Sequence, residues 1–270
     1  RDLHSFPTRR SSDLQEAGLL AQKLDDQNRQ RQTLTHDLQK KAEELIAATP
    51  QAAPLLLAAH PDFSSGVVGL VAARLVETHY RPAIVGQIGE TFTRASCRSI
   101  PEFHITAALD QCADLMERHG GHAMAAGFTI RNERLPELQQ RLNAIAHQQL
   151  DTLDLRPTLR ADMEIPLSAL QPNLLLPYLD RLQPTGMSNP EAVFVSRQLR
   201  VARARRMGSD GSHLRLSVTD GNIYYDAVAF RMGNWADQMP ETVDLVYTFE
   251  RNTYQGRESL QLVVRDLKPS

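Results

Sequence analysis

His119-Gly-Gly-His-Ala-Met-Ala-Ala-Gly127 is the stretch on which the reading of this chain turns. Upstream, residues 105–118 read as a helix, and downstream 128–130 read as a strand followed by a helix over 135–150. Two glycines after a helix let the backbone turn and approach a ligand without side-chain interference. Free N–H groups at such a break can cradle a phosphate, and Ala125, Ala126 and Gly127 permit close packing beneath it. The plain alternative is a helix C-cap with a tight turn and His122 satisfied in a core. Some twenty residues earlier, Ser96-Cys-Arg-Ser99 ends a strand predicted over 92–98. A guanidinium flanked by two hydroxyls suits phosphate: Arg98 offers a bidentate fork, and Ser96 and Ser99 offer single donors. Together the two segments nominate Ser96, Arg98, Ser99, Gly120, Gly121 and His122 as a phosphate or substrate site.

Working outward, residues 51–150 alternate strands and helices: strands over 55–59 and 83–85, a helix over 66–80, then the segments above. This pattern predicts a sheet covered by helices. Before it, residues 15–50 have one glycine and end at Pro50, and Leu34, Leu38, Ala42, Leu45 and Ile46 recur at helical spacing. A long connector helix is expected, with self-association as the alternative. Residues 1–14 carry no apolar periodicity and no signal pattern. They look like adapter-derived translation outside the fold, and with no initiator Met the true N-terminus is expected to be missing.

Residues 151–192 are Leu-rich and punctuated by Pro, a linking segment. Over 193–270 the period becomes two. Leu214, Leu216 and Val218 alternate with polar residues, as do Val243, Leu245, Tyr247 and Phe249, and again Leu260, Leu262 and Val264. With 194–201 and 224–230 this makes five short strands and an OB-type barrel, an SH3-like barrel being the alternative. From Arg197 to Arg215 there are six arginines (197, 200, 203, 205, 206 and 215) against one acid, Asp210, with aromatic residues nearby. Basic residues with stacking rings suit single-stranded nucleic acid. In an uninterrupted strand Arg203 and Arg205 share one face, and Arg200 and Arg206 take the other. Tyr247 reads as core. Tyr254 and Arg257, at a hairpin tip, complete the candidate strand-binding set with Arg203 and Arg205.

The net charge of −2 means that any basic surface is local. Two cysteines are too few for a disulfide framework or a metal knuckle and suit a reducing cytoplasm. No apolar run reaches the ~20 residues that cross a bilayer.

Arg98-Ser-Ile-Pro101, Ala113-Asp-Leu-Met116 and Gly120-Gly-His-Ala-Met-Ala-Ala-Gly127 resemble the DHH-associated domain of the RecJ family. So does Gly66-Val-Val-Gly-Leu-Val-Ala-Ala-Arg-Leu75. Pro184-Thr-Gly-Met-Ser-Asn-Pro-Glu-Ala-Val-Phe194 and Gly256-Arg-Glu-Ser-Leu-Gln-Leu262 are similar to the same family's OB-like domain. The resemblance implies the C-terminal part of a single-strand-specific 5′→3′ DNA exonuclease of the DHH phosphoesterase superfamily. Its Mn²⁺ or Mg²⁺ would be held by a domain absent from these residues. Its partner would be single-stranded DNA with a 5′ end, gripped near the terminal phosphate by Arg98, Ser96 and His122. A free-standing single-strand-binding module, or a DHH phosphoesterase of short oligonucleotides, are the alternatives. Departures are Ala95-Ser-Cys-Arg-Ser99 for the family's Gly-Ser-Gly-Arg-Ser, Phe63-Ser64 for Trp-His, and Pro-Thr-Gly for Pro-Phe-Gly. The first two are expected in or near the phosphate pocket. The superfamily's Asp- and His-rich motifs are absent. His60-Pro-Asp62, the one close His–Asp pair in the α/β region, reads as a loop cap.

Overall fold

The computed structural model describes residues 7–48, 53–186, 188–254 and 257–270, with the side chains of 7–12, 172–173, 252–254 and 257–259 left aside. The chain divides into two compact units, Arg1–Pro157 and Thr158–Ser270.

The first unit opens with α1 (Pro7–Ala47), which begins ahead of Gln15 and so includes residues expected to lie outside the fold. Its leucines 14, 19, 20 and 24 are exposed, and only near Thr35, Leu38 and Ala42 does it become buried. Next come β1 (Leu56–His60), α2 (Val68–His79), β2 (Ala83–Ile88) and β3 (Phe92–Arg98). A short α3 (Ile105–Asp110), a 3-10 turn (Ala113–Leu115), β4 (Met116–His122), β5 (Ala125–Arg131) and α4 (Leu135–Leu150) complete it. The strands form one sheet in the order β1-β2-β3-β5-β4, parallel between β1 and β2 and antiparallel elsewhere.

Alternation along the strands gives this sheet two apolar faces. Ile84, Ala95 and Cys97 point into a core with Phe103, Ile105, Leu109, Leu138 and Leu142. Leu56, Ala58, Ala83 and Val85 meet Leu38 and Ala42 of α1 and Val68, Val71 and Leu75 of α2. Each such leucine or valine contributes about 1.5–3 kcal/mol of burial. Helix α2 stops where Tyr80 turns left-handed (φ 48°), its N–H bonding the Val76 carbonyl.

One expected helix is replaced. Residues 105–118 are helical only to Asp110, and Met116–His122 is a strand. The Gly-Gly segment is therefore part of an edge strand and not a helix terminus. No periodicity marks this strand, because β4 is largely exposed and lacks alternation. Its pairing slips between Met116 and Arg118, and its glycines have poor strand propensity.

The second unit begins with β6 (Met163–Glu164), a 3-10 turn (Leu167–Ala169) and α5 (Pro172–Arg181). Five strands follow: β7 (Phe194–Met207), β8 (His213–Thr219), β9 (Tyr224–Ala229), β10 (Thr242–Tyr254) and β11 (Arg257–Pro269). Their order β7-β8-β9-β11-β10 is closed by a β10–β7 pairing, with β9 and β11 parallel. This is the expected five-stranded OB-type barrel. Leu199, Leu214, Leu216, Val218, Ala227, Val243, Leu245, Tyr247 and Leu262 fill it. Tyr247 is fully buried, its hydroxyl 2.8 Å from Ser196 Oγ, and burial pushes its phenol up to about 12. Much of the expected linking segment belongs to this unit: Leu167 and Leu170 are buried in its core, and the Tyr225 hydroxyl donates to the Leu170 carbonyl.

Candidate nucleic-acid interface

Strand register assembles the first candidate site. Arg98 pairs with Ala125, and Ala125 with His122. Directly paired residues share a face, so Arg98, Ala125 and His122 form one cross-strand row. The adjacent same-face row is Ser96, Gly127 and Gly120. Small residues on the central strand thus leave an open floor between Arg98 and His122, whose backbones lie two strand spacings, about 10 Å, apart. That gap suits a hydrated phosphate group held from both sides.

Helix α2 borders the row. A methyl added at Gly69 would stand 3.1 Å from Arg98 Nη2 and 3.6 Å from Ser96 Oγ, so the small residue there lets the guanidinium and hydroxyl lie against the helix. Arg98 Nη1 donates to its neighbour's carbonyl, Cys97 O, at 2.8 Å, which fixes the fork. Among the described residues Arg98 has no carboxylate partner.

The β4–β5 turn is tied down so that the row keeps its geometry. Ser99 N donates to Met124 O (3.0 Å) and Ile105 N to Ala123 O (3.0 Å). Thr106 Oγ1 donates to His122 O at 2.7 Å. Ser99 differs from expectation: it is buried and its hydroxyl donates to Phe103 O at 2.6 Å, so it braces the turn and is not available to a ligand. Gly121 does not form an anion cradle at a helix end. Its φ is +150°, and a Cβ there would fall 2.4 Å from Ala125 O; close approach of β5 is what requires glycine. Gly120 has open space where a Cβ would stand and lies on the ligand-facing side.

Three departures from the family pattern, Ala95, Cys97 and Phe63, are buried in the two cores. Ala95 and Cys97 face the opposite, helix-covered core, and burial pushes the Cys97 thiol up to about 12. Phe63 is buried among α1 and α2 side chains. Ala95 and Cys97 therefore lie on the opposite face from Ser96 and Arg98, whereas Phe63 is on the Ser96 and Arg98 side of the sheet but fully buried, and Ser64 is half-buried. His60 Nδ1 accepts from the Asp62 backbone N–H at 3.1 Å, and Asp62 pairs with Lys41, as a loop cap would. Hydrogen bonding to Lys41 and its charge hold the Asp62 carboxyl below its ordinary value.

In the barrel, a register shift between Val201 and Arg203 alters the expected parity. Arg200 pairs with Thr219 and Arg203 with Ser217, so the bulge brings Arg200 onto the same outer face as Arg203 and Arg205. A cavity of about 370 Å³ on this face is lined by Arg203, Arg205, Arg215, Leu216, Ser217 and Asp226. Arg215 is paired with Asp226 at 2.8 Å; among the described residues Arg203 and Arg205 have no carboxylate partner. Arg206 and Arg197 are neutralised elsewhere, by Asp237 and by Glu164 and Asp244. The ring available on this face is Tyr224, 60% exposed and hydrogen-bonded by Arg200. Sequence reasoning passed over it as one of several aromatics. The alternation Tyr224 out, Tyr225 in, was the usable signal. The side chains of Tyr254 and Arg257 lie outside the described residues, although their backbones pair across the β10–β11 hairpin.

Among the described residues no group of three or more His, Cys, Asp and Glu could hold a metal ion, and no helix is long and apolar enough to cross a membrane.

Residues 52–148 match the DHHA1 domain family, and 161–266 match the RecJ OB domain. The chain is 31% identical over 268 residues to the single-stranded-DNA-specific exonuclease RecJ of Salmonella typhimurium, covering 95% of this chain and 46% of that protein. It is 29% identical over 260 residues to the Bacillus subtilis protein of the same name, covering 95% of this chain and 33% of that one. The chain thus spans a third to about half of these relatives' length. A solved structure of RecJ from Thermus thermophilus in complex with Mn²⁺ superposes with a TM-score of 0.77 at 27% identity, over 94% of this chain and 36% of that one. With both domains matched in order, the chain belongs to the RecJ family, whose C-terminal part it resembles.

Proposed function

We propose that this chain is the substrate-holding part of a metal-dependent, single-strand-specific 5′→3′ DNA exonuclease. The α/β unit binds the phosphate at the 5′ end through Ser96, Arg98 and His122 over the Gly120 floor. The barrel carries the strand on the face of Arg203, Arg205 and Tyr224, with Tyr254 and Arg257 at the hairpin tip. The carrying observation is the row Arg98–Ala125–His122, a guanidinium with no carboxylate partner among the described residues, facing an exposed imidazole across a floor of small residues. Such donors favour a phosphate over a neutral group. Cutting the phosphodiester falls to Mn²⁺ or Mg²⁺ held by residues outside this chain, in a cytoplasmic enzyme of DNA repair and recombination.

Fluorescence anisotropy with the purified chain tests this. A 5′-phosphorylated single strand should bind more tightly than the matching duplex. Affinity should fall with salt at a slope of about −0.7 per phosphate neutralised. Incubation with Mn²⁺ should release no nucleotides. Equal affinity for duplex, or binding indifferent to salt, contradicts the proposal. So does Mn²⁺-dependent degradation that EDTA abolishes.

A further inference from the structure

A second row of cations lies on the same sheet face as Arg98 and His122, four residues along the strands. Arg94 pairs with Thr129, and Thr129 with Arg118. Both arginines are exposed, and neither has an ion-pair partner among the described residues. Arg118 Nε donates to Thr129 Oγ1 at 3.2 Å, which orients its guanidinium along the row. A cavity of about 280 Å³ is lined by Arg94, Arg118, His119, Gly127, Phe128 and Thr129. Two carboxylates near Arg118 in sequence are engaged elsewhere: Glu117 with Arg131 and Asp114 with Arg141. Two like charges brought to one row by register, with no ion-pair partner among the described residues, repel each other and are relieved by an anion between them.

We propose that Arg94 and Arg118 form a second phosphate subsite, which takes an internal backbone phosphate of the strand whose end is held by Arg98 and His122. This rests on the function proposed above and adds to it a direction for the strand, along β3 and β4 toward their Arg94 and Arg118 ends. Four residues of strand span about 14 Å. That is about four nucleotides at the ~3.4 Å stacked spacing, and fewer if the nucleic acid is extended. Gly127 and Thr129 keep the intervening floor low, so the backbone can cross from one row to the other.

The test uses the full chain carrying Arg203→Ala and Arg205→Ala, so that barrel binding does not mask the sheet. The probes are a 5′-phosphorylated dinucleotide and a 5′-phosphorylated octathymidylate. Adding Arg94→Ala and Arg118→Ala should weaken octamer binding about tenfold and flatten its salt slope by about 0.7 for the one phosphate no longer neutralised. The dinucleotide, too short to reach the second row, should lose little. Arg94→Lys with Arg118→Lys should restore most of the octamer affinity, which a folding defect would not allow. If the alanine pair weakens both probes equally, or neither, the second subsite is wrong. If Arg98→Ala weakens the dinucleotide while the Arg94/Arg118 pair leaves octamer affinity unchanged, this inference alone fails. If neither probe binds before these changes, the phosphate-holding role proposed for the sheet fails with it.

Discussion

The two cationic faces of this chain are built in opposite ways. In the barrel, six arginines crowd into nineteen residues of sequence (197–215), yet Arg197, Arg206 and Arg215 are each paired with a carboxylate. Arg203 and Arg205 are left to act, while Arg200 donates to the Tyr224 hydroxyl. In the α/β unit, Arg94, Arg98 and Arg118 are scattered along the chain, and pairing through β5 collects them with His122 on one face, with no carboxylate partners among the described residues. Charge density along a sequence is therefore a poor guide to charge density in space. Strand register and the positions of carboxylates decide it.

The largest effect should come from the scattered set. Arg98→Ala in a complete enzyme containing this region should reduce cleavage about ten- to a hundredfold, the loss of one charge-assisted bond. Thermal stability should change little, because the guanidinium's hydrogen bond within the protein goes only to its neighbour's carbonyl. A substrate with a 5′-hydroxyl separates terminal from internal grip. If Arg98 holds the terminal phosphate, the unmodified enzyme should already be slowed on that substrate and the variant should add little. Equal impairment on both ends would move Arg98 to an internal phosphate, and no impairment on either would leave it a purely structural residue.

The crowded set should show a smaller and divided effect. Arg203→Ala with Arg205→Ala should weaken single-strand binding by about three- to tenfold and flatten the salt slope by about 0.7 for each phosphate that is no longer neutralised. Arg197→Ala with Arg206→Ala removes the same formal charge from neutralised pairs and should cost clearly less. Equal losses from the two double variants, measured by anisotropy across a salt series, would mean that net charge and not the unpaired face governs binding. The contrast between the two regions would then collapse.

The same contrast explains what could be read from sequence. The barrel's alternation is visible because its strands bury one face, so Leu214, Leu216 and Val218 recur strictly. The edge strand β4 buries almost nothing and carries two glycines, so no periodicity marked it and it read as the end of a helix. Arg98 and His122 are candidates by their chemistry whichever element carries them, and strand register sets the two on one face. Two features were beyond reach of the residues alone. Ser99 faces inward because the chain turns after β3 to meet Met124. Arg200 joins the outer face because a bulge, which leaves no strong sequence mark, resets parity after Val201.

The effect expected to be smallest on binding concerns how the barrel keeps its paired arginines in place. Asp244 is nearly buried, and its carboxylate accepts from Gln198 N (3.0 Å), Ser270 Oγ (2.8 Å) and Arg197 Nη1 (3.2 Å), with Lys268 at 3.7 Å. Burial by itself would raise its pKa. These hydrogen bonds and charges outweigh that, and the carboxyl sits below its ordinary value. A depressed carboxyl contributes stability that is fully present above the unfolded pKa of about 4. The contribution is lost as pH falls through the folded pKa. Asp244→Asn should therefore lower barrel stability by about 1–2 kcal/mol at neutral pH. The difference should shrink as pH falls through the folded pKa, which lies below the ordinary carboxylate value. Trp235, the single tryptophan, sits in a 3-10 turn packed on the barrel core, so its fluorescence follows this unit and not the α/β unit. Urea titrations read at that ring across pH should show the two curves converging in acid. A gap that stays constant with pH would mean that Asp244 acts through shape and not through its charge.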